Sequence, residues 1–228
     1  MSTTNASEMR LARKLADAAL AAPPVAGPTN EEFAAMTAAQ KRVAIAKDVL
    51  QWVEAGKALP CRLIYFRVFE GPAAPTEDST WGGPAYARAL RARELVSVGD
   101  RSCHVCALGA VWATACERTD INIGAVAAAD GTLGENMREA LGGLFESDQL
   151  ARIECAFEQS DAFGGCEPED AARAAAFGRA VAKACVPEPR LAKESFHTWE
   201  WRCERASDRR VMRAIMQNII DNDGTFIP

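Results

Sequence analysis

Two cysteines and a histidine stand together in SCHVCALGAVWATACE, residues 102–117. Cys103-His104-Val105-Cys106 is a C-x-x-C at an expected helix start, where unpaired N–H groups and the helix dipole favour a thiolate. Three chemistries compete for it. A thioredoxin-like redox site needs a preceding strand and a βαβ frame; ELVSV can supply the strand, but the chain beyond the motif reads as helix. A closed structural zinc site needs four ligands, usually with a second short cysteine pair. Cys61, Cys116, Cys155, Cys166, Cys185 and Cys203 form no such pair, so no metal is expected. Nucleophilic catalysis needs a base, and the chain has 2 histidines. The pairing this favours is Cys106 with His197, the latter in the aromatic stretch ESFHTWEW with Glu194 or Glu200 to orient its ring. Packing competes with all three. Ala107, Gly109, Ala110 and Ala113 form a small side that lets a neighbouring backbone approach, and Leu108, Val111, Trp112 and Ala115 form a large one. Cysteine is among the most often buried residue types. The expectation is a central buried helix, packed against helices at 38–55 and 207–221, whose thiols serve as small hydrophobes.

A second candidate lies near the C-terminus. Arg202, Arg205, Arg209, Arg210 and Arg213 make a basic stripe, with Trp199 and Trp201 beside it. Trp199, Trp201, Arg202, Arg205 and Arg209 are therefore the expected ligand contacts, suited to a phosphate-bearing ligand or an acidic partner. WGGP and FGGC lack the lysine and spacing of a phosphate loop and read as turns. Glu154 and Glu158, one helical turn apart with Asp161 nearby, read as a solvated helix face.

The elements that must position these residues are mostly helical. In MTAAQKRVAIAKDVLQWVEAGK, Thr37 and Gln40 fit a capping box, Val43, Ala46, Leu50 and Val53 recur at helical spacing, and Gly56 suits the stop. CRLIYFRVFE (61–70) reads as a strand, residues 71–84 as a long loop, and ELVSVGD (94–100) as a second strand. Helices are expected over 102–118, 134–142, 147–159, 168–185 and 207–221, with Pro168 in a first turn and Ser147 and Ser207 as caps. Asn222-Asp223-Gly224 should turn the chain so that Phe226 and Ile227 fold back onto the body. A short helix over 7–21 followed by AAPPVAGPTN makes residues 1–29 an arm and linker ahead of one globular domain, 30–228. The fold class is mainly α with a small β element, a single compact helical α+β domain.

The 228 residues are 49% hydrophobic, enough for a sizeable core, and carry a formal net charge of −5. That acidity argues against nucleic acid as a partner. No apolar run approaches the roughly 18 residues of a membrane span, and the charged N-terminal stretch does not resemble a signal peptide. A cytoplasmic protein with reduced thiols is expected, without a cofactor.

KRVAIAKDVL (41–50), CHVCALGAVW (103–112), RIECAFE (152–158) and MRAIMQNIIDNDGTFIP (212–228) together resemble a family of small proteins encoded by tailed bacteriophages and prophages. The likeness spans the order of motifs from about residue 40 to the C-terminus, and the last motif is the most specific. It implies a phage or prophage origin and a role in the bacterial host cytoplasm, with no catalytic residue to transfer. With no complete catalytic constellation in the chain, the reading is a non-catalytic accessory protein. Its partner would be a host protein or small host molecule, for instance in counter-defence. The alternative is a thiol enzyme using Cys106 with His197.

Overall fold

A computed structural model describes residues 27–68, 103–119, 121, 133–163, 165–187 and 189–228. Helix α1 (Asn30–Ala35) and α2 (Ala38–Glu54) come first, each opened by a threonine capping box, Thr29 with Glu32 and Thr37 with Gln40. In each box the hydroxyl accepts the N3 amide while the N3 side chain accepts the cap amide, so orphan donors are satisfied locally. Three short strands come next: β1 (Ala58–Pro60), β2 (Phe66–Val68) and β3 (Cys103–Val105). Then come α3 (Ala107–Arg118), α4 (Leu133–Leu141), α5 (Ser147–Glu158), α6 (Pro168–Lys183) and α7 (Phe196–Asp221). The chain is mainly α with a small β element. The sheet order is β1-β3-β2, with β1 parallel and β2 antiparallel to the central β3.

Helix α3 is the centre of the core. Every residue from Ala107 to Cys116 is buried, and α2, α4, α5 and β3 pack around it. Its small side meets backbone: a Cβ on Gly109 would overlap the Tyr65 carbonyl. The close approach expected of this glycine is thus made by the segment between β1 and β2. Helix α7 lies instead against α2, α6, α5 and β1, contributing Val211, Met212, Ile215, Met216 and Ile219. Helices α5 and α6 close on each other where Gly178 sits against the Ala156 backbone. Outside the hydrophobic core, Arg118 forks onto both oxygens of Asp48 at 2.8 and 2.9 Å and also donates to the Pro28 carbonyl.

Several expectations change. Of the strand expected over 61–70, only Phe66–Val68 forms one among the described residues; 61–65 is a turn between β1 and β2, because the amides of Arg62 and Leu63 bond to carboxylates of α7 and α5 rather than to a ladder. Leu63 sits in the left-handed region at φ 63°, a conformation a strand cannot contain. The C-x-x-C does not open a helix as a unit: Cys103 to Val105 form β3, and Cys106 is the N-cap of α3. The last helix starts at Phe196 under a Ser195 cap rather than at Ser207. At the C-terminus Gly224, φ 87°, turns the chain and donates to the Ile219 carbonyl. Phe226 is then fully buried edge-on to Phe177, whereas Ile227 remains 55% exposed. The expected helix at 7–21, loop at 71–84 and strand at 94–100 lie outside the described residues.

Candidate functional site

The 3.6-residue period of α7 places Trp201, Arg205, Arg209 and Arg213 along one line, with Arg202, Ala206 and Arg210 along the next. These two rows form one wall of a cleft of about 620 Å³. Leu59 and Pro60 of β1 and His104 of β3 form the facing wall, and Cys185 from the end of α6 also lines it. His104 is in the central strand, where the sheet leaves it 7% exposed.

Three carboxylates organise the guanidinium groups. Asp208, fully buried, accepts from the Arg62 Nε at 2.9 Å and the Arg62 amide at 3.3 Å, and lies 3.2 Å from Arg205. Burial pushes its carboxyl above the ordinary value even though Arg205 and Arg62 pull it down, so desolvation is the larger effect. Glu54 pairs with Arg213 at 3.2 Å and Arg209 at 3.5 Å, and Arg209 also donates to the Val53 carbonyl. Glu194 receives both Nε and Nη2 of Arg202, which holds its carboxyl below the ordinary range. Arg205 reaches the Pro60 carbonyl and packs its guanidinium over the Trp201 ring, 5.9 Å from the centroid. Arg210 is exposed and makes no ion pair among the described residues. Six guanidinium groups, counting Arg62, therefore meet three carboxylates, and the cleft keeps a positive excess. It suits a partner with several negative charges.

The expected ligand contacts divide accordingly. Trp201, Arg202, Arg205 and Arg209 line the cleft, whereas Trp199 packs beside Phe196, ring centroids 5.5 Å apart, outside its lining. The expected Cys106–His197 pair shares no hydrogen bond. Cys106 is buried, and its Sγ accepts the Gly109 amide at 3.4 Å as a helix cap. Burial pushes this thiol well above its ordinary value, and the carboxylates of Glu158 and Glu154 push it further, the opposite of what a nucleophile needs. His197 is exposed on the first turn of α7, and no hydrogen bond links it to Cys106. Among the described residues no group of three or more His, Cys, Asp or Glu side chains is placed to hold a metal ion.

A second polar cluster is not expected from the sequence. Glu154, which reads there as solvated, is 1% exposed, accepting from the Tyr65 hydroxyl at 2.6 Å and from Arg138 at 2.5 Å. Glu158 is half-buried and accepts the Leu63 amide at 2.8 Å. Burial raises both carboxyls, that of Glu158 to about 7. Burial and the Glu154 carboxylate likewise raise the Tyr65 phenol. Together with Asp208, these acids fasten the 61–65 turn to α5 and α7. The available signal is Glu154 itself, a carboxylate flanked by Ile153, Cys155, Ala156 and Phe157. No family model, curated protein or solved structure gives a significant match to this chain.

Proposed function

We propose that the chain is a non-catalytic binding protein whose α7 cleft takes an anionic partner, a host protein or small host molecule. The observation that carries the reading is the convergence of five arginines of α7 on one cleft, with Arg210 free of ion pairs among the described residues. The setting, a phage or prophage accessory protein acting in a bacterial host cytoplasm and serving counter-defence, draws its support from the four motifs alone. No helix among the described residues is long and apolar enough to cross a membrane. The burial of Cys106, which raises its thiol pKa, and the lack of a hydrogen bond to the exposed His197 favour binding over thiol chemistry.

Titration calorimetry with inorganic pyrophosphate, at low and at raised salt, tests the anion site. The expected result is saturable binding that weakens with salt and falls about tenfold in Arg210→Glu, a change of about 1.4 kcal/mol. Equal affinity in the variant would remove the cleft from the reading.

A further inference from the structure

We infer that the α7 cleft is shaped for an acidic protein segment, with carboxylates recurring about once per helical turn and an aliphatic or aromatic anchor at one end. The inference rests on the anion-binding reading and narrows it to one class of partner. Its first support is length. Trp201, Arg205, Arg209 and Arg213 recur every fourth residue, and at about 1.5 Å per residue the row runs about 18 Å. One phosphate group covers only a fraction of that row, while three successive turns of a partner helix, or a comparable extended segment, match it.

The second support is the apolar surface at one end of the row. Six large hydrophobic residues are exposed among the described residues, and Val186, Leu191, Phe196 and Trp201 are four of them. Val186, Leu191 and Phe196 lie in the segment that leads into the arginine row, and Trp201 is the row's first member. That segment is tied to the row: Arg202 donates to the Pro189 carbonyl and to Glu194, which in turn accepts the Leu191 amide at 3.0 Å. Exposed apolar side chains in a segment tied to a cationic row match the composition of a protein interface, where Trp, Phe and Arg concentrate.

The third support is how the charges are held. Glu54, Glu194 and Asp208 each engage arginines of the cleft, so the positive excess is spread along the row rather than gathered at one point. One face of Trp201 already carries the Arg205 guanidinium, which leaves that face closed to a stacked base. A nucleotide or polyphosphate would find less here than a peptide bearing separated carboxylates.

The test is selection from a displayed library of random peptides of about 12 residues, the helical length that matches the row, against the full chain. The expected outcome is enrichment of sequences with Asp or Glu at three- or four-residue spacing and Leu, Phe or Trp near one end. Synthetic copies should bind at least about tenfold more weakly to Arg210→Glu, and to Arg209→Glu/Arg210→Glu/Arg213→Glu if that variant keeps the parent melting profile. Exchanging the peptide carboxylates for lysine should restore binding to the reversed variants. Leu191→Ser should weaken binding without changing its salt dependence. Enrichment without an acidic consensus, or equal binding to Arg210→Glu, overturns the inference. Parallel titrations with pyrophosphate, ATP and a short DNA duplex separate the two levels. Arg210-dependent binding of any of these without acidic peptides leaves the anion site standing and removes the protein partner. Binding of none, with no peptide enriched, removes both.

Discussion

Replacing Glu158 by glutamine should make the protein more stable at pH 8 and leave it nearly unchanged at pH 5. The carboxyl is half-buried, accepts the Leu63 amide, and is raised from an ordinary 4.5 to about 7. Burial is the main cause, the carboxylates of Glu154 and Asp208 add to it, and the Leu63 amide and Arg62 oppose it. Between those two pH values the folded protein holds a proton that the unfolded chain has released, so stability falls as pH rises. The interval of about 2.5 pH units, at about 1.4 kcal/mol each, amounts to about 3 kcal/mol, fully lost once the pH passes the folded value. Glutamine keeps an acceptor for Leu63 and has no proton to lose. Urea denaturation of both proteins at pH 5, 6, 7 and 8 measures the difference directly. The variant should gain on the parent as pH rises, with the change centred between 5 and 7. Some decline with pH should remain in the variant, because Glu154 and Asp208 are raised in the same direction. A difference between the two proteins that is flat across this range, or that shrinks with rising pH, would refute the placement of Glu158.

Gly109→Ala should cost about 3 kcal/mol or more, since its methyl would overlap a backbone carbonyl that the 61–65 turn holds in place; chemical denaturation reads this, and a neutral result would mean that the turn does not rest on α3. Tyr65→Phe removes one of the two partners of the buried Glu154 carboxylate and should cost about 1–3 kcal/mol, measured the same way at pH 7. Deleting residues 225–228 strips the fully buried Phe226 from its place against Phe177 and should lower stability by about 2 kcal/mol after the entropy regained by the tail. Ile227→Ala should leave the melting temperature almost unchanged, because that side chain is exposed and its backbone is held by Asn218.

What can be read from the sequence is what short-range chemistry decides. The Thr37–Gln40 box, Pro168 in the first turn of α6 and the left-handed Gly56 and Gly224 all act within a few residues, and each sits where the sequence puts it. The buried acids escape because their partners are remote: Tyr65 is 89 residues from Glu154, and Arg62 is 146 from Asp208. Helical periodicity assigns Leu150, Ile153 and Phe157 to the core and leaves Glu154 and Glu158 on its flank. Whether such a flank meets water or a distant turn is settled by tertiary packing alone. The start of α7 escapes for a different reason. Its first turns have little apolar periodicity, and Ser207 lies before the strong pattern of Val211, Ile215 and Ile219, whereas the cap that forms is Ser195. Phe226 and Ile227 part company because Phe226 packs edge-on against Phe177 while the backbone of Ile227 is held by Asn218 with its side chain exposed.

The arginine row is legible as composition, but its shape depends on the acids the sequence conceals. Asp208 bonds to Arg205 in the cleft and to Arg62 in the turn, so it fixes the wall of one relative to the other. Glu158 and Glu154 then hold the same turn through Leu63 and Tyr65, and Gly109 lets the Tyr65 backbone press against the most buried helix. The Arg205 guanidinium is thereby referred to the centre of the core through hydrogen bonds and ion pairs rather than left on a free surface. That matters for recognition because arginine otherwise loses considerable side-chain entropy on binding, and a group already held loses less. The surrounding charge acts in the same direction. A net −5 is screened beyond about 8 Å at physiological ionic strength, so an anion at the cleft mouth responds to the local excess of guanidinium, while elsewhere the acidic surface turns it away.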